Sequence, residues 1–195
     1  MSHSNVKEKT TMKAFHSIAR HDFGSGPVPA HQHPNGGGWV ADTAHVASTA
    51  YVGPNAVVSG DATVIGDATV EYYAGVTGNA RVEGEAVVSG CARVMGHAEV
   101  SGNAKVSDYA KLTDYATVSG VAMVSGDALI SGRATVSGNA WVKGDATVSG
   151  NAKVSGDALV SGYAVVSGDA IVSGDAVVSD YAKVQGDAVV KAGRQ

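Results

Sequence analysis

From Val40 to Val190 an aliphatic residue recurs at every sixth position without a gap, and all 26 of these positions hold Val, Leu or Ile. From Ala44 to Ala188 an alanine stands two residues before each of them. The remaining positions are mostly small or polar. The unit reads Ala-x-Val-Ser-Gly-Asp/Asn, as in Ala146-Thr147-Val148-Ser149-Gly150-Asn151. Side chains alternate along a strand, so Ala and Val point to one side while x and Ser point to the other. Glycine then permits a corner, and Asp or Asn supports it by bonding local backbone. A strand and a corner repeated at a fixed short period predict a β-solenoid. Large and small inward residues alternate and fill a narrow interior, where full burial of one Val is worth about 2 kcal/mol.

The flanks do not share the period. Met1–Thr11 is polar and reads as an arm, and Lys13–Phe23 has scattered apolar residues that suit one strand or turn. The stretch 24–38 reads as loop, because Pro27, Pro29 and Pro34 remove backbone donors and Gly36-Gly37-Gly38 permits unusual dihedrals. Residues 1–38 are therefore expected to form an arm and cap over the first coil, whose bare strand edges would otherwise recruit other chains. The solenoid is expected over 39–191, with a short tail at 192–195. That tail shows no evident cap, which would leave an edge open to end-to-end association.

The units Val-Ser-Gly-Asp-Ala-x and Val-Ser-Gly-Asn-Ala-x resemble the hexapeptide repeat of left-handed parallel β-helix proteins, over residues 40–191. The resemblance implies an all-β fold, a left-handed triangular prism with about 18 residues and three strands per coil. About eight coils at roughly 4.8 Å per strand spacing would make a rod of about 40 Å. The segment Val-Pro-Ala-His-Gln-His-Pro-Asn-Gly-Gly-Gly-Trp-Val from Val28 to Val40 is similar to a narrower group of hexapeptide-repeat proteins found in phages and prophages. Most of that group have no assigned activity.

With three hexads per coil, residues 18 apart stack on one face. One face then carries Tyr51, Thr69, Val87, Lys105, Met123, Trp141, Leu159 and Val177. The apolar stripe Val87, Met123, Trp141, Leu159 and Val177 is a candidate contact surface, since Trp and Met are favoured in interfaces. β-propensity alone also places such residues on strands. The resemblance implies a homotrimer, and the stripe is the expected interface. A second face is mostly polar, from His45 through Arg81, Glu99 and Thr135 to Lys153, before Ile171 and Val189. The third mixes Arg93, Lys111 and Lys183 with Val57, Leu129 and Val165. One corner stacks Tyr73, Tyr109, Tyr163 and Tyr181, with Cys91 among them. That edge suits a flat ligand, a sugar or a protein partner, and it equally suits plain coverage of the corner.

Composition narrows the functions. A formal net charge of −4 without a basic patch argues against a nucleic-acid partner. The single Cys91 excludes an intramolecular disulfide and a cysteine metal cluster. No apolar run has the length of a secretory signal or a membrane span, so a cytoplasmic protein with no membrane partner is expected, with a virion-associated one as a variant.

Hexapeptide-repeat acyltransferases carry a catalytic His beside loops that interrupt the helix, yet here every hexad from 40 to 191 is intact. His97, at a corner position, and His31 and His33, in the loop stretch, are the candidate bases. Carbonic anhydrases of similar repeat need three His ligands, and this chain offers no matching set. Neither a catalytic residue nor a metal or cofactor is therefore expected. The serine ladder at Ser101, Ser119, Ser137, Ser155 and Ser173 is too mixed with charged rows for an ice-ordering surface. The leading expectation is a non-enzymatic rigid structural or binding module that presents edges and intersubunit grooves to a protein or small-molecule partner. The alternatives are a hexapeptide-type acyltransferase and a protein that sequesters a small molecule between subunits.

Overall fold

The structure is a computed structural model and describes residues 19–193. The arm at Met1–Thr11 and most of Lys13–Phe23 lie outside them. Each hexad forms a two-residue strand from its x and aliphatic positions, as at Thr147–Val148. Glycine and its Asp or Asn neighbour then turn the chain, so no strand of a middle coil can extend. Thr147–Val148 pairs in parallel with Leu129–Ile130 on one side and Val165–Val166 on the other, in each case with the residue 18 positions away. The same register joins the repeat strands into three parallel sheets of nine, nine and eight strands. The repeat thus makes eight complete coils and two strands of a ninth. The chain is a parallel β-solenoid, all-β among the described residues.

The inward Ala and Val are fully buried through the middle coils, and Leu112 and Ile130 are the largest fully buried side chains. The corner position before Asp or Asn adopts a left-handed backbone, for example φ 69° at Gly150. A Cβ there would lie 2.9 Å from the backbone of Gly168 on the next coil, so glycine is the default. Asp108, Asp114 and Asp180 take the same conformation at φ 59–60°. Asp108 and Asp114 offset the strain because each Oδ2 accepts a hydrogen bond from the next coil, from Gly126 N and Gly132 N at 3.0 Å. Elsewhere the corners are laced coil to coil, by Asn139 donating to Asp157 at 2.8 Å and Asn151 to Asp169 at 2.9 Å.

The N-terminal end is closed by strands of opposite direction. β1 (Arg20–Asp22) pairs antiparallel with β2 (Pro27–Gln32), and β2 pairs antiparallel with β3 (Trp39–Ala41), the first strand of the repeat. The expected loop at 24–38 therefore contains a six-residue strand. Pro27 and Pro29 precede the three residues of β2 that pair with β3, so their missing N–H groups interrupt no bond of that ladder.

The turn after β2 covers the neighbouring strand, Tyr51–Val52. Val52 N donates to Asn35 O at 3.0 Å, Gly38 N donates to Val52 O at 2.9 Å, and the Asn35 amide donates to Ala50 O at 3.0 Å. Gly36, at φ 115°, comes so close that a Cβ there would lie 2.2 Å from Val52 O. At the other end the last strand, Val189–Ala192, runs straight past the corner position and pairs over four residues with Ile171–Gly174.

Candidate functional site

Parallel pairing puts the x residues of one column side by side. Val87 lies beside Lys105, Lys105 beside Met123, Met123 beside Trp141, Trp141 beside Leu159, and Leu159 beside Val177. The structure thus brings all five stripe residues onto one face, with Lys105 as the interruption between Val87 and Met123. Val87, Met123 and Leu159 are half-buried, whereas Trp141 and Val177 are 45% and 62% exposed.

Trp141 stands between two hollows. One, of about 280 Å³, is lined by Val87 and Met123 together with Ser89, Ser107, Ser125, Lys105, Asp108 and Lys143. The other, of about 350 Å³, lies among Asn139, Asp157, Ala158 and Leu159. Lys143 Nζ sits 5.7 Å from the centre of the Trp141 ring, within cation–π range. Sequence reasoning singled out the stripe, with Lys105 in its column, and passed over Ser89, Ser107, Ser125 and Lys143. Stepping by 18 through the serine position, from Ser89 to Lys143, would have found them.

The other two faces differ. On one, Arg81 Nε donates to Glu83 at 2.9 Å, and the column continues through Glu99, Thr117, Thr135 and Lys153. On the third, Arg93 bends across the gap left by Gly75 and donates to Tyr73 O at 2.9 Å.

The corner tyrosines are all exposed. Tyr163 and Tyr181 stack face to face at 5.1 Å and 4°, so at that end each ring covers the corner of its neighbouring coil. Cys91 stands between Tyr73 and Tyr109 in the column, and Asp127 and Asp145 separate Tyr109 from Tyr163. The edge is therefore three separate pieces, Tyr73, Tyr109 and the Tyr163–Tyr181 stack, rather than one aromatic strip. A second stack was not anticipated: His97 lies flat on Tyr115 at 4.8 Å and 3°, and Arg133 sits over the Tyr115 ring at 5.7 Å.

Among the described residues, the candidate bases His97, His31 and His33 and the other histidines near the cap do not come together. His97 belongs to that corner stack. His31 Nδ1 is 2.9 Å from the Asp42 carboxylate at an exposed position. His33 is buried, with its Nδ1 3.1 Å from Asn35 O, and so helps hold the cap turn. His21 stacks on Trp39 at 4.6 Å, and His16 lies outside the described residues. Among the described residues no three His, Cys, Asp or Glu side chains come together as a metal site would require.

A model of a protein family described as the YdcK beta solenoid repeat matches residues 128–144, 152–168 and 166–180. These residues form the coils that carry Trp141, Leu159 and Val177. No curated protein matches the chain significantly. With parallel register at every repeat strand and a solenoid-repeat match on its later coils, the chain is a β-solenoid repeat protein similar to the YdcK solenoid repeat.

Proposed function

We propose that this protein is a rigid, non-enzymatic binding module that associates with itself through the Val87–Val177 face. The assembly is a homotrimer of left-handed prisms, of the kind that phages and prophages carry, acting in the cytoplasm or on a virion. The carrying observation is the continuous apolar column from Met123 to Val177 with Trp141 and Val177 left open to solvent. An exposed stripe of this kind on a rod marks a contact surface. Stiffness comes with the architecture, because each coil is bonded along its length to the next.

Light scattering on the intact protein tests the proposal. The wild type should run at three times the chain mass and Trp141→Glu at one. A Trp141→Glu protein that keeps the wild-type mass overturns the assignment of the interface. A second reading, a groove that holds a small ligand, is favoured by the hollows beside Trp141. Acyl-CoA binding that disappears in His97→Ala would instead support a transferase.

A further inference from the structure

Val121 departs from the repeat. It is the one aliphatic residue at a corner position that elsewhere holds mostly Asp, Asn or Tyr, and it is 48% exposed. It lies in the turn before its strand, so strand propensity does not account for it. Its column shows what the exchange gives up. Asn103 donates to Glu85 at 2.7 Å on one side, and Asn139 donates to Asp157 at 2.8 Å on the other. Val121 interrupts that coil-to-coil lacing and puts an apolar knob between the two pairs.

The same face carries a hollow at the same height. A hexad crosses its face from the corner residue at the entering edge to the serine position at the leaving edge, here from Val121 through Met123 to Ser125. Met123 and Ser125 line the hollow of about 280 Å³. Lys143 is already held over the Trp141 ring at 5.7 Å, so the apolar lining that remains is Val87 and Met123. A rotation axis parallel to the rod carries one copy onto the next without changing height. It therefore turns the entering edge of one copy towards the leaving edge of its neighbour.

We propose that Val121 of one copy seats in the hollow beside Met123 and Ser125 of the next, so that each hollow is completed by a second chain. The hollow is larger than one isopropyl group, and the Asn103 and Asn139 side chains on the coils either side enter with it. Their amide oxygens can accept from the Ser107 and Ser125 hydroxyls. Charge fits the same arrangement. The hollow has Lys105 and Lys143 one coil before and after Met123, and the corner column has Glu85 and Asp157 one coil beyond each lysine. The one carboxylate that lines the hollow, on Asp108, already accepts from Gly126 N at 3.0 Å. This inference rests on self-association through the Trp141 face and deepens it: the copies run parallel, and the contact joins unlike edges.

The test is disulfide trapping in the intact chain with Cys91→Ala. Val121→Cys combined with Ser125→Cys should give covalent oligomers on oxidation with oxidised glutathione, reversed by reductant, whereas either cysteine alone should give none. Within one chain the two positions are four extended residues apart, roughly 13 Å and beyond disulfide reach. Separately, Val121→Asn restores a usual corner residue. It should leave thermal unfolding unchanged while raising the dissociation constant of the oligomer about tenfold or more. Cross-linking by Val121→Cys alone, no cross-link in the double variant, or an unchanged dissociation constant in Val121→Asn would each overturn the proposal. Light scattering on the same samples separates the two levels: an oligomer that does not cross-link removes this contact alone, whereas a monomer removes self-association with it.

Discussion

The face that carries Trp141 and the face that carries Thr135 are the same object on the inside. Val124 and Val142 behind the first, and Val118 and Val136 behind the second, are all fully buried and paired in the same parallel register. Their outward columns diverge. One runs Met123, Trp141, Leu159, Val177, and the other runs Glu99, Thr117, Thr135, Lys153. A solenoid satisfies its backbone coil to coil and its core through two positions of each hexad. The x position is thus left free to vary without disturbing either. Differences between faces are therefore differences of contact chemistry on a common frame.

That comparison can be broken first from the inside. Val124→Asp and Val136→Asp each place a carboxylate in a sealed apolar interior, and each should lose about 4 kcal/mol or more. Equilibrium urea unfolding should show the two to be equivalent; a large gap between them would mean that the frames differ after all. On the outside the faces should part company. Trp141→Glu is expected to reduce the solution mass, whereas Thr135→Glu, in the preceding hexad but on another face, is expected to leave it unchanged.

Corner chemistry, shared by all faces, should give intermediate effects. Gly150→Val forces a β-branched residue into the left-handed backbone and should lower stability by about 1–3 kcal/mol in thermal unfolding. Gly150→Asp should lose less, because Asp108 and Asp114 show how that side chain bonds the next coil. The smallest effect belongs to the corner stacks. Tyr163→Ala removes one ring contact, worth about 0.5–1.5 kcal/mol, and should leave the solution mass alone.

Much of the frame is legible in the residues alone. The six-residue period of Val, Leu and Ile with Ala two positions earlier admits only short strands and corners. The step of 18 that groups Met123 with Trp141 and Leu159 is the register observed. The cap is harder to see, because β2 contains two prolines and has no period. Its strand exists because the exposed edge of Trp39–Ala41 supplies a partner, and no local signal reports a partner that lies across a turn.

The same holds for the hollows and stacks. Lys143 is only two residues from Trp141, whereas Ser107 and Ser125, 18 residues apart, come to the same hollow from two other coils. His97 and Tyr115 are likewise 18 residues apart and touch only because the coils close. By itself the sequence determined the frame, since a repeated inward pattern has one way to be buried. The tertiary structure decided the cap, the corner stacks and the polar rim of Trp141, because those depend on distances between residues that no local preference brings together.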